Sequence, residues 1–210
     1  MKHLLLIYLL SLALNSAAQV FPVHVNPQLV PPYSPYLSDY TQPGAQNLLI
    51  QIRTNDITLT DYPCKLRVTI EGVGITIKTK QNFIPSAPLI LTGGGIPQIF
   101  YGEELFEYFN PAALDFAGLT RREYEQSARL PEGVYRFSVE VLDYYRGTPV
   151  SNKGMATAWI ILNDPPILNL PANNSRLVVR DPTNILFTWT PRHTGSPNAA
   201  FSTEYVFRMV

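Results

Sequence analysis

The chain has 210 residues, with 16 basic against 16 acidic side chains and no net charge. At 46% hydrophobic and only 15% charged, it can fill a core, which excludes wholesale disorder. Neutrality without a basic block excludes nucleic acid or an anionic membrane surface as the main partner.

Nineteen prolines stand well above the usual share of ~5% and favour strands and rigid turns over a helical bundle. At the start, Lys2 and His3 precede an apolar run from Leu4 to Leu14, and small residues follow at Ser16 and Ala18. This is the pattern of a secretory signal peptide over 1–18, with cleavage after Ala18. The run is too short for a membrane anchor, which needs about 20 apolar residues. No later segment reaches that length either, so no integral membrane segment is expected after signal removal. The single cysteine, Cys64, lies far from the cleavage site, so neither a lipid anchor there nor an intramolecular disulfide is expected. It reads as a half-buried small hydrophobe.

Phe21 to Pro43 is rich in proline and tyrosine, which predicts an extended opening strand and a strapped loop whose tyrosines cover a sheet. Asn47–Ile52 reads as a strand that ends at Thr54-Asn55-Asp56. Leu66–Ile70 alternates with period two, and the Gly72-Val73-Gly74 turn joins it to Ile75–Lys78 as a hairpin. Leu89–Thr92 is a further strand before Gly93-Gly94-Gly95, a glycine cluster that reads as a flexible turn because Ile96-Pro97 follows. Glu103–Phe109 predicts a short helix stopped before Pro111. Thr120-Arg121-Arg122-Glu123 forms a capping box, with Leu119 and Tyr124 as its hydrophobic staple, and predicts a helix to about Arg129.

The clearest strand runs from Val134 to Asp143. Tyr135, Phe137, Val139 and Val141 face the core there, while Arg136, Ser138, Glu140 and Leu142 mostly face water. A loop leads to a return strand, Met155–Leu162, with Ala156, Ala158, Ile160 and Leu162 on one side. Asn163-Asp164-Pro165-Pro166 reads as a domain boundary. Beyond it, Ile167–Leu170, Asn184–Pro191 and Glu204–Val210 read as three strands, too few to close a second sandwich. The expectation is that the chain is the front of a longer multi-module protein, or that a partner chain completes the second module.

No nucleophile elbow, phosphate loop, zinc-protease or C-x-x-C motif is present. Glu103, Glu104, Glu107, Glu140 and Asp143 read as a solvated face rather than a paired acid and nucleophile. His24 and His193 lack ligand partners at useful spacing. Asn55, Asp56 and Asp61 lack the acidic ladder of a strong calcium site. No catalytic residue, metal or cofactor is therefore assigned. Tyr144, Tyr145 and Trp159 remain as ligand- or partner-contact candidates, with packing on the sandwich as the alternative role.

Phe187-Thr188-Trp189-Thr190-Pro191, followed by Tyr205-Val206-Phe207, resembles the opening of a fibronectin type III domain. Val25-Asn26-Pro27, the stretch Pro31–Tyr40, and Asn184–His193 resemble the TANFOR domain proteins. Those are large, secreted, multi-module proteins of Gram-negative bacteria. The resemblance implies export and a surface or envelope location, and it supplies no catalytic residues. The expected fold is mainly β. An immunoglobulin-like antiparallel β-sandwich with one or two short helices spans 19–163, and a partial fibronectin type III-like module spans 164–210. The expected role is a non-enzymatic structural or adhesion module whose partners are other protein modules or surface glycans. The alternatives are a carbohydrate-binding module and an accessory domain of a secreted enzyme.

Overall fold

A computed structural model describes residues 21–56, 58–161, 166–172, 174–176 and 184–190. The expected signal peptide with Ala18, Leu162 to Pro165, His193 and the strand at 204–210 lie outside these. The described chain is mainly β, and its strands pair in antiparallel sheets.

Alternation in the sequence sets the leading strand. In β1, Val23–Leu29, the side chains of Val23, Val25 and Pro27 are buried while His24, Asn26 and Gln28 are exposed. It pairs antiparallel with β2, Leu48–Thr54, which pairs in turn with β6, Gln98–Phe100. These three strands form one layer, in the order β1-β2-β6. The other layer is six-stranded. Its central strand β3, Tyr62–Gly72, lies between β8, Gly133–Asp143, and β4, Ile75–Thr79. Outside these run β9, Gly154–Ile160, and β7, Leu114–Ala117, while β5, Leu89–Leu91, pairs with the start of β3. The order is β7-β4-β3-β8-β9.

Leu66, Val68 and Ile70 of β3 stand opposite Val141, Val139 and Phe137 of β8, and all six are at most 1% exposed. Val25, Leu48, Ile50 and Ile52 of the smaller layer are buried with them in one core. Complete burial of each such side chain contributes about 1.5–3 kcal/mol. The proline-rich strap after β1 turns into a 3₁₀ segment, Leu37–Tyr40, which adds Leu37 and Tyr40 to this core. The Tyr40 ring lies 5.6 Å from that of Phe137, and its hydroxyl donates to the Ser34 carbonyl at 2.9 Å. Tyr33 packs partly buried against the core, whereas Tyr36 is exposed, so the strap's tyrosines do not all cover the sheet.

The β3–β4 hairpin closes through Val73-Gly74, with Gly74 at φ +71°. Gly118, at φ +76°, lies against this turn so closely that a Cβ there would meet the Gly74 carbonyl oxygen. The expected helix at 103–109 is a 3₁₀ turn, Gly102–Leu105, that runs into α1, Phe106–Phe109. The capping-box helix is α2, Arg121–Ser127, with the Thr120 hydroxyl accepting from Glu123 N and Glu123 Oε2 from Thr120 N. It ends two residues before the expected Arg129, because Ala128 adopts the left-handed conformation at φ +53° and caps it.

Two further expectations are corrected. Cys64 is completely buried, since β3 begins at Tyr62 rather than Leu66 and carries it inward. Ser138 and Leu142 do not face water: Ser138 is 1% exposed opposite Thr69, and Leu142 is 6% exposed, opposite Lys65 and bridged by Pro149. Lys65 is itself covered, with its ammonium donating to the Phe83 carbonyl at 3.2 Å.

Beyond the two layers, β10, Ile167–Leu170, pairs with β11, Thr188–Thr190, as a separate two-stranded ribbon. This places Trp189 on a strand opposite Leu168.

Burial raises the ionisation of Tyr40, Tyr62 and Tyr108 well above the usual 10.0, and for Tyr62 the bond to Asp143 adds to it. The fold favours their protonated form, so this contribution to stability is complete below pH 10 and lost as pH rises beyond it. Alkaline titration should therefore show these phenols ionising together with loss of β circular dichroism. Independent ionisation with the β signal intact would contradict this assignment.

Candidate functional site

The contact candidates Tyr144 and Tyr145 follow directly from the end of β8. Asp143 builds the turn that holds them: its Oδ1 accepts from Tyr145 N at 3.0 Å and Arg146 N at 2.7 Å, and its Oδ2 from the Tyr62 hydroxyl at 2.7 Å. These donors, the Arg146 amide foremost, hold the Asp143 carboxyl below the usual range. Asp143 is thus a structural acceptor. The two rings meet edge to face with centroids 5.2 Å apart. Only Tyr145 is free, at 80% exposed; Tyr144 is half-buried and its hydroxyl donates to the Pro85 carbonyl at 3.0 Å.

Trp159 is not part of that cluster. It lies on the outer face of β9, opposite Val134 at the far end of β8, ten residues before Tyr144. At ~3.3 Å per residue the two positions are about 30 Å apart. Trp159 and Val134 are each 53% exposed, and Met155 is 59% exposed two pairs further on the same face. Ala158 and Ile160 point inward, as the alternation of the sequence requires.

Among the described residues, a contact with no signal in the sequence joins the first strand to the segment that leads into β9. Ser151 forms a parallel bridge with Val23, and Val23 N donates to the Val150 carbonyl at 3.3 Å. Next along, the Asn152 amide mimics a strand: its Oδ1 accepts from Val25 N at 2.9 Å and its Nδ2 donates to Val25 O at 3.1 Å. Gly154 then lies so close that a Cβ would stand 2.5 Å from both Val25 O and Pro27 Cδ. The first strand is thereby fixed, in parallel, to the start of the last strand of the two-layer body. Val25 N–H and C=O point away from β2, so odd positions of β1 carry the outward groups. Pro27 falls on that same side and offers no donor.

Among the hollows on the surface of the described residues are two with polar side chains in their lining. One, of about 290 Å³, lies between the strap and the two helices and is lined by Ser38, Thr41, Phe106, Phe109, Tyr124 and Ala128, among others. The other, of about 370 Å³, lies over the outer face of β1 and β2, lined by His24, Val25, Asn26, Gln51, Arg53, Pro97 and Asn152.

The remaining chemical candidates are accounted for by local bonds. Burial, with Asp143 nearby, pushes the Cys64 thiol up to about 12, which leaves it protonated and unreactive at neutral pH. Asp56 accepts from Thr58 N at 2.8 Å and Thr58 Oγ1 at 2.6 Å. Glu107 accepts from the Ser86 amide and hydroxyl, and Glu140 pairs with Arg67 at 3.4 Å. Among the described residues no three His, Cys, Asp or Glu side chains converge as a metal cluster. Comparison with protein-family models, curated proteins and solved structures finds no match to this chain.

Proposed function

We propose that residues 19–163 form an exported, non-enzymatic, load-bearing spacer or adhesion module at the bacterial cell surface. In this reading its sandwich is immunoglobulin-like, and 164–210 begin a fibronectin type III-like module in a longer protein of the TANFOR kind. The signal-like run before Ala18 and the resemblance of Pro31–Tyr40 and Asn184–His193 support export and modular organisation.

One observation carries the mechanical part. The chain enters the two-layer body at Val23, beside Ser151, and leaves it at Ile160, nine residues further along the same strand direction. At ~3.3 Å per residue, the two ends are separated by about 30 Å along the strands. Tension between neighbouring modules then acts parallel to β1 and β9. It loads the Val23–Val150 bond and both Val25–Asn152 bonds together, in shear, rather than one after another. A domain strung between modules needs this response.

Stretching the protein from handles at residues 21 and 161 tests the reading. A single cooperative rupture is expected, and gradual lengthening at low force would contradict it.

A carbohydrate-binding role at the aromatic candidates draws support from the exposed ring of Tyr145. That surface offers one free ring, because Tyr144 is tied to Pro85 and Trp159 lies about 30 Å away. The spacer is therefore the better-supported function.

A further inference from the structure

The hollow over β1 and β2 has the composition of a binding site. We propose that it takes a carboxylate-bearing saccharide.

The register places its polar side chains together. His24 stands opposite Arg53, and Asn26 opposite Gln51, all on the face turned away from the core. Directly opposed residues hold their Cβ atoms about 5 Å apart, and diagonal ones ~7 Å. Four polar side chains therefore surround an area the size of one pyranose ring. The lining contains a guanidinium and an imidazole and no carboxylate. Among the described residues neither the Arg53 nor the His24 side chain has a hydrogen-bond or ion-pair partner. The guanidinium is a planar fork of donors matched to a carboxylate. Asn26 and Gln51 supply planar amides, each with donors and an acceptor for vicinal hydroxyls. Ile99, half exposed and opposite Gln51, with Pro97 at the rim, gives the apolar edge against which the C–H face of a sugar rests.

An acidic peptide fits less well. A peptide would add as a strand at the edge of β1 away from β2, and that edge is already closed by Asn152 at Val25 and by Pro27.

The test is calorimetric titration of the protein with trigalacturonate, a hyaluronan tetrasaccharide, maltotriose and triglutamate. At least one of the two uronate oligomers should bind saturably at one site, more weakly as salt rises. Maltotriose and triglutamate should bind at least ~10-fold more weakly, the loss of one charge-assisted contact or one set of hydroxyl contacts. Arg53→Ala should weaken uronate binding by about 10-fold or more, and Gln51→Ala by a smaller factor. Arg53→Gln, which keeps the stem over the sheet, should lose the same affinity if the charge is responsible. Failure of both uronates to bind, equal binding of triglutamate, or full affinity in Arg53→Ala and Arg53→Gln would overturn the proposal. These variants leave the Val25–Asn152 bonds in place, so the outcome is independent of the load-bearing reading.

Discussion

Replacing Gly154 with alanine is expected to cost about 2–4 kcal/mol, the sum of a steric and a hydrogen-bonding loss. The added Cβ would stand 2.5 Å from Val25 O and Pro27 Cδ, and neither atom is the end of a flexible side chain. Val25 O is already held by the Asn152 amide. To make room, β1 must move away from β9, and that movement breaks the two Asn152 bonds and exposes Val23 and Val25. In a protein of this size, each kcal/mol lowers the melting temperature by roughly 2–4 °C. Thermal unfolding followed by circular dichroism should therefore show a drop of at least ~4 °C. An unchanged midpoint would mean that β1 and β9 are not in tight apposition.

Asn152→Ala should destabilise by about 2–3 kcal/mol, because it strands a donor and an acceptor of the same residue. Val25 is 3% exposed, and with the amide gone its N–H and C=O border the hollow that Asn152 lines, where water replaces the lost bonds only in part. Asn152→Asp distinguishes this from mere loss of side-chain packing. It keeps an acceptor for Val25 N but sets a carboxylate oxygen, in place of Nδ2, against Val25 O. Like partial charges then face each other at about 3 Å, and the variant should be no more stable than the alanine one. Melting curves of the three proteins decide the matter. An aspartate variant with wild-type stability would show that the Nδ2 bond contributes nothing.

Much of the two-layer body is legible in the sequence because its signals are local. The alternation at 134–143, the Val73-Gly74 hairpin and the Thr120/Glu123 capping box each depend on residues a few positions apart, and each is found in the structure. Short strands escaped. Gln98–Phe100 and Leu114–Ala117 have three and four residues, too few for a period to show, and one directly follows a proline. Alternation places Ser138 and Leu142 toward water because it reports which face a residue is on, not what covers that face. Lys65, opposite Leu142, shows the same effect: a charged residue buried by its stem with its ammonium on the Phe83 carbonyl.

The candidate site was legible in part. Tyr145 and Trp159 are exposed, as contact residues should be, but alternation and loop position could not reveal that they lie far apart. Asn152 gave no signal at all. Its partner is 127 residues away, and a side-chain amide pairing with backbone leaves no pattern in composition or spacing. Asn152-Lys153-Gly154 before an apolar strand reads simply as a turn. Only the fold shows that its glycine and asparagine receive the first strand.

Unfolding force as a function of pulling direction is the most direct measure of whether the module is built to bear load. Handles at residues 21 and 161 pull along β1 and β9 and load the clamp bonds together. Handles at residues 21 and 146 pull the same two segments apart from one end, so the Val23–Val150 bond breaks before those at Asn152 are loaded. The expected result is a several-fold higher rupture force in the first geometry, with Asn152→Ala lowering that force toward the second. Equal forces in the two directions, or an end-to-end force unchanged by Asn152→Ala, would contradict the load-bearing account.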